Sequence, residues 1–125
     1  MLLFYRDVGR GVFKLVVEYE GTEVFGDAEF VMDGLPDKER LALAEFLSSK
    51  SAKLCKFLQG HCFGLPFQVP AKVDLERRTI HFCDSRRNGQ EGVFLVLFVN
   101  DVLTMAENTL EAHISDALAR LKREF

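Results

Sequence analysis

Between Val12 and Tyr19 the chain alternates, with Phe13, Leu15, Val17 and Tyr19 on one side and Val12, Lys14, Val16 and Glu18 on the other. A period of two marks a half-buried β-strand. Leu2 to Tyr5 begins as another strand, which "DVGRG" turns, and Gly21 in "EGT" supplies the next hairpin loop. The alternation then continues to Met32. It places Val24, Gly26, Ala28, Phe30 and Met32 inward, and Glu23, Phe25, Asp27, Glu29 and Val31 outward. The first 32 residues are therefore predicted as an antiparallel meander.

The pattern changes at "DGLPDKER". Pro36 suits a first helical position, and Asp37 and Glu39 complement the dipole of a first turn. The helix runs through Leu41, Leu43, Ala44 and Leu47 until "SSKS" weakens it. Ser51 is the expected cap of a second short helix, Ala52 to Gln59, closed by Gly60. Strand character returns where Ala71, Val73 and Leu75 alternate with Lys72, Asp74 and Glu76. After the Arg77–Arg78 turn, Thr79 to Cys83 is the return strand, and "DSRRNGQEG" is a polar loop with an Asn-Gly turn signal.

Val93 to Val99 is apolar without interruption, which predicts a strand covered on both faces at the centre of the sheet. Thr104 and Glu107 have the spacing of a capping box for the last helix. Along that helix Leu110, Ile114, Ala117, Leu118, Leu121 and Phe125 form one apolar stripe. The sum is a single α+β domain over residues 1–125. Its order is βββ-α(α)-βββ-α, with a mostly antiparallel sheet of about six strands and helices packed on one face.

Composition adjusts this picture only at the margins. A chain of 125 residues buries about two-thirds of its unfolded surface without covalent staples. A formal charge of −3 offers no global basic field for nucleic acid. Arg77–Arg78 and Arg86–Arg87 bracket the strand 79–83, so roughly 27–30 Å separates them and they do not form one patch. Lys50, Lys53 and Lys56 share a helical face that reads as solvated. "MLLFYRDVGRG" meets charge too soon for a secretory leader, and "VFLVLFV" falls far short of the roughly 20 residues of a membrane span. A cytoplasmic protein with reduced thiols is the expectation.

Candidate chemistry concentrates in "LCKFLQGHCFG" and "HFCD". A zinc site would draw on Cys55, His61 or Cys62, and on His81 with Cys83, which share one face of a strand. A nucleophile would pair Cys62 with His61 or His81, with Asp84 as the orienting carboxylate. The spacing C-x6-C is not that of a structural zinc knuckle, and Cys55 falls among the apolar residues of a helix. These residues are expected to be core and loop, with no metal, no cofactor and no catalytic set. Glu107 with Glu111 reads as a solvated face, and His113 as a flank of the apolar stripe. No phosphate loop, HExxH, G-x-S-x-G or EF-hand pattern occurs.

Charge by segment is more informative. Residues 1–35 hold three basic and seven acidic groups, a balance of −4. Glu18, Glu23, Asp27 and Glu29 fall on the outward side of the first hairpin, Glu20 at its tip, with Phe25 and Val16 among them. Glu18, Glu20, Glu23, Phe25, Asp27 and Glu29 thus make the candidate docking face for a basic protein. In general type alone, a small acidic chain of this kind is similar to an inhibitor or immunity protein that neutralises a basic toxin or enzyme. Two other classes stay open at this stage: a small enzyme using the Cys/His cluster, and a homo-oligomer that buries a phenylalanine-rich surface.

Overall fold

The computed structural model describes residues 1–10, 12–59, 69–87 and 89–123. Gly60, His61, Cys62, Asn88 and Phe125 lie outside the described residues. So do the expected helix closure at Gly60, the His61–Cys62 pair, the Asn-Gly turn and the end of the C-terminal stripe. The elements run β1 (Leu2–Gly9), β2 (Val12–Tyr19), β3 (Thr22–Gly26), α1 (Ala28–Asp33), α2 (Asp37–Leu47) and α3 (Lys50–Gln59). They continue as β4 (Ala71–Asp74), β5 (Thr79–Cys83), β6 (Val93–Phe98), α4 (Val99–Thr104) and α5 (Glu107–Arg123). The expected α+β class and the antiparallel sheet with six described strands are present.

The sheet order is β3-β2-β1-β4-β5-β6, and every pairing among the described strands is antiparallel. Two meanders, β1-β2-β3 and β4-β5-β6, meet where β1 pairs with β4. The register aligns one row of side chains across all six strands: Val24, Val17, Leu3, Val73, Ile80 and Leu97. Val17, Leu3, Val73 and Ile80 are fully buried, and α2, α3, α4 and α5 supply Leu43, Phe46, Cys55, Val102, Leu110 and Leu118 above them. The stripe of α5 lands on this layer as its spacing requires, with Leu110, Ile114, Ala117, Leu118 and Leu121 all buried.

Turn chemistry explains the hairpins. Glu20 and Gly21 both have positive φ, 49° and 78°, between the paired Tyr19 and Thr22. That is the two-residue turn whose twist matches its flanking strands. β1 continues past the expected turn at Asp7 to Gly9, with a bulge between Asp7 and Gly9.

The third strand departs from its periodic reading. It ends at Gly26, whose φ of 152° leaves the strand region and where an added Cβ would meet the Phe30 ring at 3.0 Å. Asp27 then caps α1 by accepting a hydrogen bond from the Phe30 N–H at 2.8 Å. A helix therefore replaces the expected strand over residues 28–32, and the faces exchange. Phe30 is 61% exposed and Val31 is fully buried, the reverse of the strand expectation.

Three further expectations change. α3 starts at Lys50, and its first turn is helped by Ser49, whose Oγ accepts from the Ala52 N–H at 3.4 Å; Ser51, the expected cap, lies inside the helix and is buried. Thr104 Oγ1 bonds back to the Asn100 carbonyl at 3.0 Å inside α4, so it does not cap α5. Most consequentially, among the described strands β6 stands at an edge and not at the centre, with Val96 and Phe98 exposed. Among the described residues no helix is long and apolar enough to cross a membrane.

Removing a side chain from the buried row should leave a cavity that the packed helices cannot close. Leu3→Ala and Leu118→Ala should each cost about 2–5 kcal/mol in chemical denaturation. Phe30→Ala should cost less than about 1 kcal/mol, because its ring faces solvent.

Candidate functional site

All the helices in the core cluster lie on one side of the sheet, and the opposite side carries a second set of registered rows. Adjacent to the buried row run Glu23, Glu18, Leu2, Asp74, Thr79 and Phe98. Beside it, Phe25, Val16 and Phe4 stand opposite one another on β3, β2 and β1, and His81 faces Val96 on β5 and β6. Leu2, Val12, Phe25, Val96 and Phe98 are exposed on this face. A solvated antiparallel sheet face ordinarily alternates to polar residues. This one keeps large apolar groups on β1, β2, β3 and β6.

Val16 was expected to be exposed among the acids, yet it is 1% exposed. The cause is local, because Phe4 and Phe25 flank it as direct cross-strand neighbours and cover its methyl groups. Arg6 lies over the Phe4 ring, 5.3 Å from its centroid, and donates two hydrogen bonds of 3.2 Å to the Glu23 carboxylate. The stack Val16–Phe4–Arg6–Glu23 therefore ties β1 to β3 across the open face.

The six residues expected to dock a partner do not form one patch. Glu18, Glu23 and Phe25 share the open face, and Glu20 sits in the turn beyond them. Glu23 is bridged by Arg6, so its charge is partly balanced. Asp27 and Glu29 lie past the other end of β3, where Asp27 is the cap and Glu29 the first-turn acid of α1. Phe25 is 57% exposed. Near the turn, burial followed by the carboxylates of Glu20 and Glu39 pushes the Tyr19 hydroxyl upward, so the acidic end of the hairpin also takes in α2.

The sheet separates the cysteines. Cys55 is buried on the helix side, and burial pushes its thiol up to about 12. His81 and Cys83 share the open face, as the period of two requires. There they border a shallow depression with Leu2, Lys72, Asp74 and Val93. Burial raises the Cys83 thiol against an opposing pull from Lys72. A nucleophilic thiol needs the opposite shift. His81 Nε2 lies 3.2 Å from Thr79 Oγ1.

Asp84 turns to Arg86 instead of to an imidazole, accepting bonds of 2.9 and 2.6 Å from the guanidinium and 2.9 Å from the backbone N–H. These bonds hold its carboxyl below the usual range despite burial. Among the described residues no three His, Cys, Asp or Glu side chains converge in a way that could hold a metal ion.

The basic residues are dispersed as expected. Arg77 and Arg78 sit in the β4–β5 turn, engaged with Asp74 and Asn100 respectively, at the end of β5 opposite Arg86 and Arg87. Lys50 donates to the Met105 carbonyl at 3.2 Å and so joins α3 to the α4–α5 link. Sequence patterning missed two parts of this face: the covered Val16 and the contribution of β6. Both depend on which strands are neighbours. No protein-family model, curated protein or solved structure matches the chain.

Asp84 sets an acid-side expectation. A carboxyl with a lowered folded pKa contributes its stability in full above the unfolded value of about 4 and loses it as pH falls through the folded value. Asp84→Asn should therefore lower the urea midpoint at pH 7. The gap from the native protein should shrink steadily from about pH 5 toward about pH 2.

Proposed function

We propose that the protein is a protein-binding module whose partner docks on the open sheet face, at the end built by β1, β2 and β3. The observation that carries this reading is the contiguous set Phe4, Val16 and Phe25, an apolar row across three neighbouring strands in which Phe25 is exposed, Phe4 half-buried and Val16 buried between them, with no helix over it among the described residues. Apolar groups scattered singly over a surface need no explanation, whereas a registered row rimmed by charge fits an interaction surface. The finer reading is an inhibitor or immunity-type protein that neutralises a basic toxin or enzyme. It draws support from Glu18 at the row's border, from Glu20 in the adjoining turn, and from the −4 balance of residues 1–35. Arg6 offsets Glu23, so steering falls mainly to Glu18 and Glu20. A cytoplasmic setting fits the free thiols of Cys55 and Cys83.

The apolar row should govern the lifetime of the complex, and the acids should govern its formation. The test is affinity capture with the full chain from its native host, followed by kinetics on the isolated complex. Glu18→Lys with Glu20→Lys should slow association at low salt, with the effect fading as salt approaches roughly 0.5 M. Phe25→Ala should speed dissociation by the equivalent of about 1–3 kcal/mol. Phe30→Ala, exposed on α1 away from the face, is the control and should bind like the native chain. Unchanged kinetics in both the acid and the Phe25 variants would remove this face as the dock.

A further inference from the structure

The two edges of the sheet are built differently. β3 is five residues long, carries Glu23, and ends at Gly26 where α1 packs against it. Short length, an edge charge and a covering helix are devices that prevent further strand pairing. β6 is six residues long and α4 and α5 pack against it, but it lacks the edge charge. "VFLVLF" contains no charge, no proline and no glycine, and among the described residues no strand pairs with its outer side. Val96 is 46% and Phe98 57% exposed on the open face beside that edge. An uncharged edge of this kind is a template for another strand.

What occupies the edge is indicated by α5, which runs alongside. Leu95, His113, Asp116, Ala119, Arg120 and Arg123 line one open groove between β6 and the exposed side of α5. The charges of α5 are segregated. Glu107, Glu111 and Asp116 lie in its first ten residues, and Arg120, Lys122 and Arg123 in its last seven. That order suits the helix dipole. It also makes the helix electrostatically complementary to its own antiparallel copy.

The groove fixes where the halves would meet. The groove is bordered by Leu95 and by helix residues between 113 and 123, a span whose midpoint is position 118. A twofold axis through Leu95, perpendicular to the sheet, sets Leu95 against its copy. Where that axis crosses α5 at position 118, it brings Asp116 toward the second copy's Arg120, and His113 toward the second copy's Arg123.

We propose that the chain forms a homodimer in which β6 pairs antiparallel with β6 of a second copy and the two α5 helices lie side by side. The result is one continuous sheet with twice the six described strands. Such a contact is isologous, so each contact occurs twice and the assembly closes as a dimer instead of growing into a fibre. This proposal is independent of the docking face, which lies at the opposite edge of the sheet.

The test is the mass of the full chain by sedimentation equilibrium at about 50 µM. The native protein should have twice the chain mass of 14.2 kDa. Val96→Lys places a charge on the edge without touching the core, and it should return the mass to that of a monomer that still unfolds cooperatively, at a lower melting temperature than the dimer. Asp116→Arg, on the exposed side of α5, should weaken the dimer by about tenfold because it acts at two symmetric contacts. Adding Arg120→Asp to that variant should restore affinity to within about threefold of the native value.

A monomeric native chain would overturn the proposal, as would a dimer indifferent to Val96→Lys. A double variant no tighter than Asp116→Arg alone would overturn the helix pairing and the axis with it. Phe25→Ala should leave the mass unchanged, and a dimer lost through that substitution would place the seam on the open face instead.

Discussion

The junction between β1 and β4 carries the architecture. Only Leu2 with Asp74 and Leu3 with Val73 are in register there among the described residues, yet through them two three-stranded meanders become one sheet. A ladder so short contributes little, since a backbone hydrogen bond is worth about 1 kcal/mol net. Side chains make up the difference. Leu3 is packed between Val17 and Val73, the row continues through Ile80 to Leu97, and α3 and α5 close over it. Burying each such residue is worth about 1.5–3 kcal/mol, so the row outweighs the ladder in holding the halves together.

This arrangement also determines what is left outside. The elements after β3 and after β6 pack on the same side, because each meander has one face apolar enough to need cover. The other side is then held flat by β-pairing and has to keep its own apolar groups from clustering badly. It does so near β2 by flanking: Phe4 and Phe25 cover Val16, and Arg6 lies over Phe4 while bridging to Glu23. Charges that look in the sequence like free acids are thus partly committed to the fold, Glu23 through Arg6 and Asp27 through the cap of α1. What remains for the proposed docking is a smaller, more apolar surface than the charge pattern implied.

Local patterns were legible in proportion to how locally they are determined. The strand β2, the Glu20–Gly21 turn and the stripe of α5 are each written within a few residues, and the structure reproduces them, although Val16 breaks the alternation of burial in β2. So were the separation of the two arginine pairs and the shared face of His81 and Cys83. The end of β3 was misread because Gly26 and Asp27 fit the alternation while breaking the strand, one by its φ and the other by capping. β6 was misread for a different reason. Continuous apolarity says that both faces avoid water, but it does not distinguish a strand between two others from one at the margin. The Arg6–Glu23 bridge spans 17 residues of sequence, and only the strand order reveals it.

The unequal edges bear on how the two proposed surfaces work together. In the twofold arrangement the axis is perpendicular to the sheet, so both open faces point the same way and both sets of helices the other. The β3 edges stand at the far ends, with eleven strand spacings of about 4.8 Å between them, or roughly 50 Å along a flat sheet. Right-handed twist rotates the two ends relative to each other and changes their orientation more than their separation. A docking site on β1, β2 and β3 is then remote from the seam, and partner binding cannot compete sterically for β6. The dimer would instead hold two identical docking rows rigidly apart on one side. A single partner molecule gains nothing from that geometry, whereas a partner that is itself a symmetric dimer of matching span gains avidity without any new contact.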